Sequence, residues 1–165
     1  MMAMLAAPVA AQDSEVLYAN RAWQVEVTRF EDGTYGCVAQ VSAPGESFSI
    51  WSFQEGGVRL QFFSSQWEFG DAGETADLEL QIDRRGPWTL TAAELYKNSV
   101  LFDLPAGDDG MRFVREVSNG SVLYLRNNDG EDVQSYSLAG SSASIDALVE
   151  CEGAITGNAP QNPFN

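Results

Sequence analysis

The chain has 165 residues, enough for one domain that buries a sizeable core without metal ions or many disulfides. It carries 24 acidic residues against 9 basic ones and no histidine. Such a balance repels nucleic acid and anionic lipid and leaves room for a cationic partner, while acids on a solvated face explain most of it. The missing histidine removes the commonest general base and the commonest transition-metal ligand together.

The first eleven residues, MMAMLAAPVAA, are apolar and uncharged, and too short to span a bilayer. Val9-Ala10-Ala11 before Gln12 has the small residues of a signal-peptidase site, although the positive n-region is missing. The expectation is a cleaved signal remnant over residues 1–11, one domain over 12–155 and a polar, disordered tail over 156–165. Export places the protein in the periplasm or outside the cell, an oxidising setting in which isolated cysteines pair. No later stretch is long and apolar enough for direct membrane insertion.

Ala22–Arg29 alternates, with Trp23, Val25 and Val27 on one face, and reads as a half-buried strand. After Glu31-Asp32-Gly33, the strand Thr34–Ala43 sets Cys37, Ala39 and Val41 on one face, and Pro44-Gly45-Glu46 turns again. Ser47–Gln54 and Val58–Ser64 form a hairpin through Gly56-Gly57. Both are apolar on two faces, Phe48 and Ile50 opposing Trp51 and Phe53, and Leu60 and Phe62 opposing Phe63. Such strands sit centrally or beneath a second layer. Gln66–Glu74 is looser and holds Trp67 and Phe69. Ala76–Asp83 alternates most clearly, with Leu78, Leu80 and Ile82 inward. A short strand follows at Trp88–Leu90, Thr91–Lys97 is ambiguous, and Val100–Leu104 is a further strand.

Over Asp108–Ser118 the apolar period becomes helical, with Asp108 or Asp109 as the cap and Gly120 as a left-handed C-terminal turn. Ser121–Asn127 and Asp132–Leu138 pair through Asn128-Asp129-Gly130. Ser141 or Ser142 caps a last helix with a buried stripe of Ile145, Leu148 and Val149, ended by Gly153. About eight regularly spaced strands with two late helices predict a mainly β fold, an antiparallel two-layer sandwich with the last hairpin and helix across an open end or face.

Cys37 faces inward and Cys151 follows the stripe of the last helix, so a structural disulfide between them is the expectation, with two free buried thiols as the alternative. A bridge across that loop would stabilise by about 4–5 kcal/mol before native strain is subtracted. Asn127–Asp132 resembles a calcium loop, yet it lacks the alternating ligands and distal glutamate, and a hairpin turn explains it. Gly140-Ser141-Ser142 lacks the G-x-S-x-G pattern and any histidine partner. No catalytic residue, metal ligand set or cofactor motif stands out, and acidic pairs are too many for one to mark a glycosidase. Trp51, Phe53, Phe63, Trp67 and Phe69 form a possible partner surface if one face of the hairpin stays open, or the inter-sheet core if it does not.

Trp23-Gln24-Val25, Cys37-Val38-Ala39 and the segment from Ser137 to Leu148 occur in an order that resembles the invasion-associated locus B family of alphaproteobacterial envelope proteins. The resemblance spans Ala22 to Cys151 on few residues. It implies an exported β-sandwich of immunoglobulin-like appearance. The cysteine that the family carries after its first strand is absent from Glu26–Arg29, as is its middle cysteine pair, so fold and compartment carry over and an invasion role does not. The combined expectation is an exported, monomeric, non-enzymatic binding protein. The alternatives are an accessory subunit of a membrane or surface complex, and a hydrolase built on acidic residues.

Overall fold

The structure, a computed structural model, describes residues 13–156. The signal-peptide reading and all but the first residue of the tail therefore lie outside the described residues. The protein is mainly β and antiparallel, with two helices late in the chain. The strands are β1 (Asp13–Asn20), β2 (Trp23–Arg29), β3 (Tyr35–Ala43), β4 (Glu46–Phe53), β5 (Val58–Ser64), β6 (Thr75–Ile82), β7 (Trp88–Tyr96) and β8 (Ser99–Asp103). Then come α1 (Asp108–Asn119), β9 (Val122–Arg126), β10 (Asp132–Ser137) and α2 (Ser141–Ile155).

All ten strands hydrogen-bond into one sheet of order β1-β2-β3-β4-β5-β8-β7-β6-β9-β10. The layers of the sandwich-like arrangement are thus two parts of a single curled sheet. Its far edge comes back over its first half. Tyr136 of β10 stacks on Phe48 of β4 with ring centroids 6.2 Å apart. Gln134 Nε2 donates to the Phe63 carbonyl at 3.0 Å, and Trp23 Nε1 donates to the Ser137 carbonyl at 3.3 Å. Between the two parts lie the inward residues of the alternating strands, among them Trp23, Val25, Phe48, Ile50, Leu60, Phe62, Leu80, Ile82, Leu123 and Leu125, all buried. Phe48 and Phe62, opposite each other on β4 and β5, stack at 4.8 Å.

Several local expectations are corrected. Among the described residues Asp13–Asn20 adds a strand, paired with β2, and the strand at Trp88 runs on through a bulge to Tyr96. That bulge holds Ala92 at φ 58°, and Asp77 Oδ1 accepts the Ala92 N–H at 2.8 Å. The helix starts differ from the expected caps. Gly107 precedes α1 and Gly140 precedes α2, with no side-chain cap at either. Asp108 and Asp109 sit in the first turn of α1, where the helix dipole favours them. Ser141, expected as a cap, is buried and donates to the Val117 carbonyl at 2.7 Å, joining α2 to α1. Gly120 is extended at φ −97° rather than left-handed. It is there for space, since a Cβ would lie 2.4 Å from Ile82 Cγ2 and 2.9 Å from the Glu116 carbonyl oxygen. Finally, α2 runs through Gly153 to Ile155, and Val149 is exposed; the stripe is Ser141, Ser144, Ile145, Leu148 and Cys151.

Candidate functional site

Cys37 and Cys151 form a disulfide with Cα atoms 6.1 Å apart, across a sequence separation of 114. Cys37 is opposite Ser52 in register on β4, and the Ser52 hydroxyl donates to Glu152 Oε2 at 2.8 Å. The end of α2 is therefore held to neighbouring strands by a covalent bond and an adjacent hydrogen bond. This fixes β3 and β4 from the inside, and β4 carries the aromatic side chains that point the other way.

The five aromatic candidates do not make one cluster. Trp51 and Phe53 alternate with the buried Ile50 and Ser52, so they stand on the outer face of β4. Their rings are 6.0 Å apart and nearly parallel, at 3°. Phe63 is half-buried on the outer face of β5 near the other end of the hairpin, opposite Ser47 and Ser99. Trp67 and Phe69 pair at 5.4 Å in the loop after β5 and pack against the main core. That loop is pinned by the Phe69 N–H, which donates to the Lys97 carbonyl at 2.7 Å.

Phe30 completes the outer group and was not among the expected residues. Its ring lies 6.2 Å from Trp51 and 6.4 Å from Phe53. Gly36 makes this possible: a Cβ there would be 2.9 Å from Phe30 Cε2, so any larger residue displaces the ring. The available signal was an aromatic side chain at the exit of β2 facing a glycine at the entry of β3, either side of the Glu31-Asp32-Gly33 turn.

The strip is oriented by polar contacts. Trp51 Nε1 donates to Gln61 Oε1 at 3.0 Å, and Gln61 Nε2 donates to the Ser99 hydroxyl at 3.0 Å. Beside Trp51 in register is Arg59, which forks onto Asp103 at 2.7 and 3.3 Å. The hydrogen bond to Arg59 holds the Asp103 carboxyl below its usual range, and the same bond pushes the Arg59 guanidinium up. At the Phe30–Phe53 end a shallow cavity of about 250 Å³ is bordered by Phe30, Asp32, Tyr35, Phe53 and Glu55. Thr34 donates its hydroxyl and its N–H to Asp32 at 2.7 and 2.9 Å, which holds that carboxyl below the usual range. The strip thus ends in an acidic rim.

Among the described residues no three His, Cys, Asp or Glu side chains gather as a metal-binding group. In the Asn127–Asp132 turn the oxygens serve the hairpin: Asn127 Oδ1 accepts from the Asp129 and Glu131 N–H groups at 3.0 and 2.9 Å. No helix of the described residues is long and apolar enough to cross a membrane. No protein-family model, curated protein or solved structure matches the chain.

Proposed function

We propose that the protein is exported, is oxidised in the periplasm or outside the cell, and acts there as a monomeric, non-enzymatic module that binds a cationic protein partner through the Phe30–Trp51–Phe53 strip. The observation that carries this reading is the strip itself: the half-buried rings of Trp51 and Phe53 on the outer face of β4 with Phe30 from the exit of β2 beside them, kept apart from the main core and ending in Asp32 and Glu55. Aromatic side chains of this kind supply large contact area at low entropic cost, and acidic rims steer cationic partners. The Cys37–Cys151 bridge supports the compartment, because such bonds persist where the surroundings oxidise. The resemblance to the invasion-associated locus B family points to the same compartment.

The test places a photoreactive benzoylphenylalanine at Phe53, and in a second strain at the exposed Tyr96, in living cells of the source organism. The expected result is a discrete ultraviolet-dependent adduct at Phe53 and none at Tyr96, in chain released by osmotic shock. An adduct to a membrane-embedded complex turns the reading toward an accessory subunit. Absence of any Phe53 adduct, or chain retained in the cytosol with free thiols, overturns it.

A further inference from the structure

At the opposite end of β4 from the strip is a cleft of about 450 Å³, bounded by Gly45, Glu46, Ser64, Trp67, Val133 and Gln134. It lies where the returning edge strand β10 meets the β4–β5 hairpin, and its size is that of a small-ligand site. We infer that this cleft binds a primary ammonium group, with the Glu46 carboxylate as its counter-ion and the Trp67 indole beside it.

The chemistry of the lining selects this ligand. Among the described residues Glu46 is the one charged residue on the walls, so they give the cleft a negative charge and no positive one. Glu46 is half-buried and makes no ion pair among the described residues. An incoming ammonium would supply the ion pair that Glu46 lacks among the described residues. Trp67 lines the cleft, and an indole attracts a cation brought beside it.

The floor is neutral and already satisfied. Buried Gln134 gives one N–H to the Phe63 carbonyl, and its Oε1 accepts from the Tyr136 hydroxyl at 2.8 Å. Burial first, and then the facing Glu46 carboxylate, push the Tyr136 phenol well above its ordinary range, so it stays neutral beside Glu46. One carboxylate among neutral hydroxyls and amides supplies little charge for a divalent metal ion, and among the described residues no three His, Cys, Asp or Glu side chains gather here. The Glu46 carboxylate repels an anion. The surrounding net charge of −15 raises the local concentration of any amine.

The inference does not rest on the aromatic strip, which lies at the other end of the strand. Its test titrates the full-length oxidised chain with n-butylammonium, with neutral 1-butanol, and with a blocked tripeptide containing one lysine. Binding is followed by calorimetry and by the Trp67 indole N–H resonance, assigned through its loss in Trp67→Phe. Both amines are expected to saturate and to shift that resonance, and 1-butanol to do neither. Glu46→Gln should weaken amine binding about tenfold or more, with its melting transition showing a folded protein. Glu150→Gln, which removes the same charge from an exposed site on α2, should leave binding unchanged. Tighter binding of the peptide than of n-butylammonium supports a lysine side chain of a partner as the source, and the reverse order supports a free amine. An unshifted Trp67 resonance, or equal losses in Glu46→Gln and Glu150→Gln, would show amines condensing on the acidic surface at large and overturn the site.

Discussion

Removing the Cys37–Cys151 bridge gives the sharpest test of how this fold is held. With a sequence separation of 114, the loop-closure estimate is about 5 kcal/mol of stabilisation through the unfolded chain. Two native-state effects adjust that figure. Cys37 is fully buried, so Cys37→Ser also buries a new hydroxyl at a further cost of about 1–3 kcal/mol. Alanine at both positions avoids that. After the bond is cut, α2 keeps Ile145 and Leu148 in the core, the Ser141–Val117 hydrogen bond and the Ser52–Glu152 hydrogen bond. The helix should therefore stay docked in Cys37→Ala/Cys151→Ala, and the cost should be about 3–5 kcal/mol. Equilibrium urea unfolding is the assay. The slope m should rise as well, because the uncrosslinked chain exposes more surface. Ser52→Ala adds a second reading. It should cost about 1 kcal/mol in the oxidised protein and more in the double variant, where Ser52–Glu152 is left to hold the helix end alone. A loss below about 1 kcal/mol with unchanged m would refute the claim that this bond restrains the unfolded chain.

Other substitutions test other parts of the fold. Gly120→Ala should cost about 1–3 kcal/mol, since its Cβ would enter the space of Ile82 and Leu138 and meet the Glu116 carbonyl; a denaturation midpoint equal to the parent's would show that the contact relaxes freely. Ala92→Gly should stabilise by about 0.5–1 kcal/mol, because it relieves the left-handed backbone of the β7 bulge by more than it adds to unfolded-chain entropy; a lower melting temperature would contradict this. Asp103→Asn should cost about 0.5 kcal/mol at neutral pH, as its pair with Arg59 is largely solvent-exposed. Arg59 depresses the folded-state pKa of Asp103, so this contribution is present above the unfolded value of about 4 and is lost as pH falls through the folded one. The difference between parent and variant should then close in acid, and a constant difference down to low pH would count against the pair.

The readability of the strands follows from how many faces each one buries. β2 and β6 have one buried face, so strict alternation marks them. β4 and β5 are apolar on both faces, and they occupy central places in the sheet order, as two-sided strands should. β7 escaped notice beyond Leu90 because the bulge at Ala92 inserts one residue and flips the alternation, leaving Thr91–Lys97 out of phase with Trp88–Leu90. β1 escaped because almost all of it is exposed: Val16 and Leu17 are 53% and 46% accessible, so no inward stripe exists to detect. The helix ends went to glycine rather than to the nearby Asp and Ser for tertiary reasons. The Ser141 hydroxyl is used by Val117 of α1, a partner that no local cap rule includes.

The two candidate sites differ in legibility for a related reason. The strip is mostly local: Trp51 and Phe53 are two residues apart on one strand, and Phe30 reaches them across one short turn. What hid Phe30 was that its place depends on the absence of a side chain at Gly36, and a glycine in a strand is read as weakness before it is read as room. The cleft is the opposite case. Glu46, Trp67 and Gln134 come from β4, from the loop after β5 and from β10, and they meet only because the sheet curls until its last strand faces its fourth and fifth. Each has a bland local reading, as a turn residue, a core aromatic and a polar strand position. A one-residue slip of β10 would turn Gln134 and Tyr136 outward and put Val133 and Ser135 in their place. That would remove the hydrogen-bonded floor and the phenol that faces Glu46. The register that buries Tyr136 against Phe48 is therefore the same register that forms the cleft, so packing alone is enough to fix the geometry of the site.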